Sequence, residues 1–276
     1  MENKKALYHF DENKWMRYIR DNGLVPHNGQ NSQSIKDDKK VVFYSQGEEG
    51  AVVMYMDFLK HYEDFKGEKG DKAIAQYSEA VAGRIELSED EMNSLKSQVN
   101  EINRIRETDS IEEYVGEGPY LKISEVEDES IDDKHFNFAN SWTTKTIPPD
   151  KLSVMVLKDK NDGKDLSEKG DIIDFFLGKM TEEQIRELPI NDGLIDYISR
   201  YKSDHQEELS SMQENYELDS MTIDQYISEE LEGKLTAKDL KEPIKEGIER
   251  LSKKGKIEEI TKQKDDETRE NDDEVR

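Results

Sequence analysis

The sequence predicts an α+β domain over residues 1–160, an all-α acidic region over 161–261 and a disordered acidic tail over 262–276. Three observations carry this division. Strand-like runs alternate with helical periodicity as far as Leu157. After Asp159 no strand-like run remains, and apolar residues recur only at three- and four-residue steps. From Lys262 onward almost every residue is polar or charged, leaving too little apolar surface to offset the entropy of ordering.

The elements follow in order. Residues 6–10 read as a short aromatic strand, after which Asp11 is placed to cap a helix. Trp15, Met16 and Ile19 share a helical face, and Gly23 supplies the left-handed stop. A polar loop then leads to a second strand, Val41, Val42, Phe43 and Tyr44. Glu48 and Glu49 favour the start of a helix whose inward face is Val52, Met56 and Leu59. A further helix places Ile74, Tyr77 and Val81 inward. Ser88 and Glu91 form a capping box for the next, with the stripe Met92, Leu95, Val99, Ile102 and Ile105. Strands are expected at 120–123, around Trp142, and at 152–157. Beyond them, Thr181 and Gln184 form another capping box, and helical faces occur at Leu194/Ile198, Leu209/Met212, Ile223/Ile227/Leu231 and Leu240/Ile244/Ile248/Leu251.

Composition narrows the function. The formal net charge is −25, from 65 acidic and 40 basic residues among 276. A chain that binds nucleic acid through phosphates needs a basic stripe, and the best run here, Lys253, Lys254 and Lys256, is flanked by acids. No direct nucleic-acid binding is expected. The charge suits solubility or a basic protein partner. With no cysteine, disulfides and thiolate chemistry are excluded. No apolar leader is visible at the N-terminus, and the longest apolar stretch, residues 51–56, is too short to span a bilayer. A cytoplasmic protein with no membrane association is expected.

Familiar sites are missing. From Asp159, glycine falls fifth rather than sixth and Gly170 stands twelfth, so the segment reads as an acidic hairpin or interdomain turn, not a calcium loop. The five histidines, at 9, 27, 61, 135 and 205, include no i, i+4 pair, and no metal is expected. There is no P-loop, no Gly-x-Gly-x-x-Gly and no Gly-x-Ser-x-Gly.

What remains is an ordered series: Tyr8-His9-Phe10, a helix, Gly23-Leu24-Val25-Pro26, a polar loop, and Val42-Phe43-Tyr44-Ser45. It resembles the opening of the ADP-ribosyltransferase superfamily, in the branch with a strand histidine and a following strand tyrosine. It also resembles the RNA 2′-phosphotransferases of similar fold. The resemblance continues at Ile147-Pro148-Pro149 and the strand after it, and covers residues 5–158, about half the chain.

The resemblance implies two small sheets with inserted helices, NAD as substrate, and a bacterial ADP-ribosyl transfer to a protein acceptor. Cleaving the nicotinamide–ribose bond needs a donor on ribose or phosphate, an aromatic face, and a carboxylate near the developing cation. By resemblance His9 is the donor and Tyr44 the aromatic, with Ser45 beside it. Asn31, Ser32 and Ser34 lie near the adenosine or phosphates. Thr144 stands about where glutamate-bearing relatives carry their carboxylate, which leaves three readings open: a carboxylate from elsewhere, such as Glu48 or Glu49, a domain that binds an NAD-like ligand without cleaving it, or one that keeps only the fold. Each residue has a plainer reading: His9 as a hydrogen-bonded core histidine, Tyr44 as strand packing, and the loop polars as loop. Two other functions stay open. One is a non-enzymatic acidic protein docking a basic partner through its C-terminal helices. The other is a C-terminal half that covers the N-terminal cleft.

Overall fold

A computed structural model describes residues 5–27, 40–127, 129, 138–163, 165–166 and 169–231. The chain divides into two units, 1–226 and 227–276. In the second, the described part is a π-helical turn, Ile227–Leu231. The first unit holds the rest of the described structure.

Its frame is one open sheet. Strand β1 (Leu7–Phe10) lies between β2 (Val42–Gln46) and β3 (Tyr120–Ile123), antiparallel to both. Beyond β2 runs β4 (Ser141–Thr143), and beyond β3 runs β5 (Leu152–Asp159). β5 also pairs with β6 (Asp165–Leu166) and, along 154–159, with β7 (Tyr216–Met221). A strand has two edges, so β7 occupies one edge of β5 while β3 and β6 share the other. The expected two small sheets are instead continuous through β1 and β3.

Ten helices are described in this unit: α1 (Met16–Asn22), α2 (Gly47–Lys66), α3 (Glu68–Val81), α4 (Glu89–Glu107), α5 (Ile111–Val115), α6 (Lys169–Lys179), α7 (Glu182–Arg186), α8 (Asp192–Asp204), α9 (Gln206–Asn215) and α10 (Ile223–Tyr226). The capping boxes at Ser88 and Thr181 form as the sequence predicts. Asp11 caps no helix. A 3-10 turn, Asn13–Trp15, comes first, with Glu12 at its cap position and no side-chain capping bond.

Strand alternation sorts the core into two faces. Tyr8, Tyr120, Met155 and Leu157 pack with α2, α6 and α8 in one large cluster that includes Val52, Met56, Phe176 and Ile198. Tyr8 and Phe176 meet at 5.3 Å. Leu121, Val154 and Val156 point to the other face and are buried there too. On that side α10 packs on β5, and α1 packs on α10 and on the 3-10 turn Pro149–Lys151.

The region after residue 160 is therefore not all helical. β6 and β7 complete the sheet that the N-terminal half begins, and α6 packs against α2. The sequence of β7, YELDSM, hides this. It carries Glu, Asp and Ser, and its strand conformation comes from the long partner β5, not from its own propensity. The Asp159 segment is a hairpin, as expected, with Gly163 in the left-handed region and Asp159 accepting from the Asn161 amide at 2.7 Å. The proposed helical face at 240–251 and the tail at 262–276 lie outside the described residues.

Candidate functional site

Two distant motifs of the N-terminal half meet. Gly23 and Leu24 follow α1, and Leu24 exchanges both backbone hydrogen bonds with Ile147, at 2.9 and 3.0 Å. Gly23 has φ +74°, and a Cβ there would lie 2.1 Å from the Ile147 carbonyl oxygen. Only glycine fits that approach. This contact ties the α1 turn to the chain just before Pro148.

His9 sits at the β1–β2 junction. Tyr8 points into the large cluster, so alternation turns His9 to the opposite face, beside Leu121. Its Nδ1–H donates to the Phe43 carbonyl at 2.5 Å. Its Nε2 faces Asp11 Oδ2 at 3.4 Å. The first contact is tight. The second is longer than a normal charge-assisted hydrogen bond and leaves room for exchange with a ligand oxygen. The His9 and Asp11 side chains are 15% and 22% exposed, so the pair opens on solvent along one edge.

Asp11 is held from several sides. Its Oδ1 accepts from the Glu12 amide at 2.8 Å. Burial pushes its carboxyl up, but the hydrogen bond and charge of His9, the Glu12 amide and the charge of Lys169 together bring it below the ordinary range. Behind it the loop at residues 116–118 presses on the backbone. The Asn13 amide donates to Glu117 O at 2.7 Å, and a Cβ on Gly118 (φ +152°) would lie 2.1 Å from Asp11 O.

Lys169 closes the group. It is the first residue of α6 and is 4% exposed. Its Nζ donates to Val115 O at 2.9 Å and Gly116 O at 2.6 Å, and stands 4.9 Å over the Phe10 ring. Burial lowers it to about 8, against the raising effect of Asp11 and Glu12; Lys14 lowers it further.

The other expected site residues fall elsewhere. Tyr44 lies on the same sheet face as His9 by alternation, but is fully buried. As folded, its ring has no open face for stacking. Ser45 is also fully buried and donates to Tyr8 O at 3.3 Å. Glu48 and Glu49 occupy the first turn of α2. Glu48 pairs with Lys179 at 3.3 Å, and both acids act on Tyr8, whose hydroxyl is pushed up to about 12, mainly by burial. They thus belong to the Tyr8 side of the sheet, across from His9. Asn31, Ser32 and Ser34 lie outside the described residues.

Sequence reading missed Asp11 and Lys169 as site residues. The spacing His-x-Asp at a strand end was a usable signal for Asp11. Lys169 gave none, because it stands far along the chain from Asp11 and only folding brings it near.

Among the described residues, no group of three or more His, Asp or Glu could hold a metal ion, and no helix is long and apolar enough to cross a membrane. In comparisons with known proteins, no family model, no curated protein and no solved structure matches the chain.

Proposed function

We propose that this chain binds NAD in the manner of an ADP-ribosyltransferase and transfers ADP-ribose to a protein acceptor. One observation carries the reading. His9, at the end of β1, is fixed by the Phe43 carbonyl on one nitrogen and meets a partly exposed carboxylate, Asp11, with the other. A donor and a carboxylate at one strand junction supply two of the three groups that nicotinamide–ribose cleavage needs. The Leu24–Ile147 bridge adds support, since it joins the two motifs on which the family resemblance rests.

In this reading a ribose hydroxyl or phosphate oxygen takes the place of Asp11 at His9 Nε2. The displaced Asp11 carboxylate, still held by the Glu12 amide, faces the developing oxocarbenium ion. Asp11 then has the role first expected of Glu48 or Glu49, which stand across the sheet.

The test is transfer of label from NAD to candidate protein acceptors, run beside NAD binding. His9→Ala is expected to weaken NAD binding at least about tenfold, the equivalent of one charged hydrogen bond. Asp11→Asn is expected to abolish transfer while keeping much of the binding. Glu48→Gln and Tyr44→Phe are expected to change neither more than about twofold. Equal NAD binding by wild type and His9→Ala removes the site.

A further inference from the structure

We propose that Lys169 is a positioning residue for the His9–Asp11 pair: its buried charge, together with the loop it anchors, keeps the Asp11 carboxylate aimed at His9. The functional meaning rests on the reading above, but the test of the positioning itself does not.

Lys169 is almost wholly buried, and it opens a helix, where the backbone dipole disfavours a cation. Its two hydrogen bonds do not require this. Val115 O and Gly116 O need two N–H donors, which a neutral amide also provides. What a neutral amide lacks is charge. The acids that act on this charge are Asp11 and Glu12, from the segment after β1, with Lys14 opposing them. Glu12 already has Lys14 at 2.7 Å, which leaves Asp11 as the acid without another lysine. Among the described residues, the hydroxyl of Tyr55, from α2, lies beside Gly170, and Asp171 stands in the first turn of α6 itself.

A second route reaches the same residue through its backbone. Lys169 holds Gly116, the loop continues through Glu117 to Gly118, and Gly118 packs directly on the Asp11 backbone. The ammonium also covers Phe10, the residue before Asp11. Charge and loop thus converge on one residue, the first on its carboxylate and the second on its backbone.

Lys169→Gln separates the roles, because it keeps the donors and removes the charge. The readout is the carboxyl 13C titration of Asp11 in ligand-free protein, with Asp64, held by Lys60 and Lys69, as internal control. The Asp11 midpoint is expected to rise by about one unit, with Asp64 unmoved. A folded variant with an unmoved Asp11 midpoint overturns the proposal. Wild type gives an answer even if the variant does not fold. Between pH 6 and 10, Asp11 Cγ and His9 Nε2 are expected to show an added inflection at about 8, where Lys169 loses its proton. No inflection at either nucleus overturns the proposal. NAD titration then separates the two ideas: if wild type binds no NAD, the functional reading fails, while the Asp11 shift still decides the role of Lys169.

Discussion

Asp11 just after β1 and Asp174 on α6 both lie half-buried, and the fold treats them in opposite ways. Asp11 has a histidine, a backbone amide and a nearby lysine, and these outweigh its burial. Asp174 has the Tyr201 hydroxyl at 3.2 Å, with Asp171 and Glu208 nearby. Burial, helped by those two acids and opposed by Tyr201 and His205, pushes it up to about 6. His205 also stacks on Tyr201, with ring centroids 4.1 Å apart. Similar burial thus yields one carboxylate held charged and another that charges at a cost. The difference lies in partners.

The largest expected effect comes from breaking the Asp11 side mechanically. Gly118→Ala puts a Cβ within 2.1 Å of a backbone oxygen at φ +152°. A loss of about 3 kcal/mol or more is expected in urea unfolding, with the His9 and Asp11 NMR signals displaced.

Asp174→Asn comes next, with opposite sign. The folded carboxyl titrates near 6 against an ordinary 3.8, so the native state binds the extra proton and stability falls as pH rises between those values. The asparagine is expected to stabilise the protein by about 1–2 kcal/mol at pH 7 and to change little below pH 4. Loss of stability at pH 7 breaks the comparison.

Asp11→Asn is the mirror case. Its folded carboxyl lies below the ordinary value, so its contribution is present above that value and is lost as pH falls through the folded midpoint. A loss of about 1 kcal/mol is expected at pH 7, vanishing in acid. The smallest effect serves as control. Thr181→Ala removes a capping bond to the Gln184 amide, with no titratable partner. It is expected to cost about 1 kcal/mol or less, equally at every pH from 4 to 8.

The legible parts of this fold were those with local causes. Ser88 and Thr181 announced helices because a capping box is complete within four residues. The valine-rich 152–157 run declared a strand because it is buried on both faces. β7 was illegible because its pairing, and not its residues, makes it a strand. The continuous sheet was illegible for the same reason. At the site, His9 was found from its strand and its followers, but its carboxylate was sought on α2. Glu48 and Glu49 drew attention as adjacent acids after a strand, while Asp11 resembled an ordinary helix cap. Only the turn of His9 away from the Tyr8 face shows which acid it meets.

The most direct test is to follow the His9 imidazole 15N signals during NAD titration of the full chain. The account predicts that Nε2, which faces Asp11, moves on binding, while Nδ1, held by Phe43, stays in place. NAD binding that leaves both His9 nitrogens unmoved, or no NAD binding by the folded protein, contradicts it.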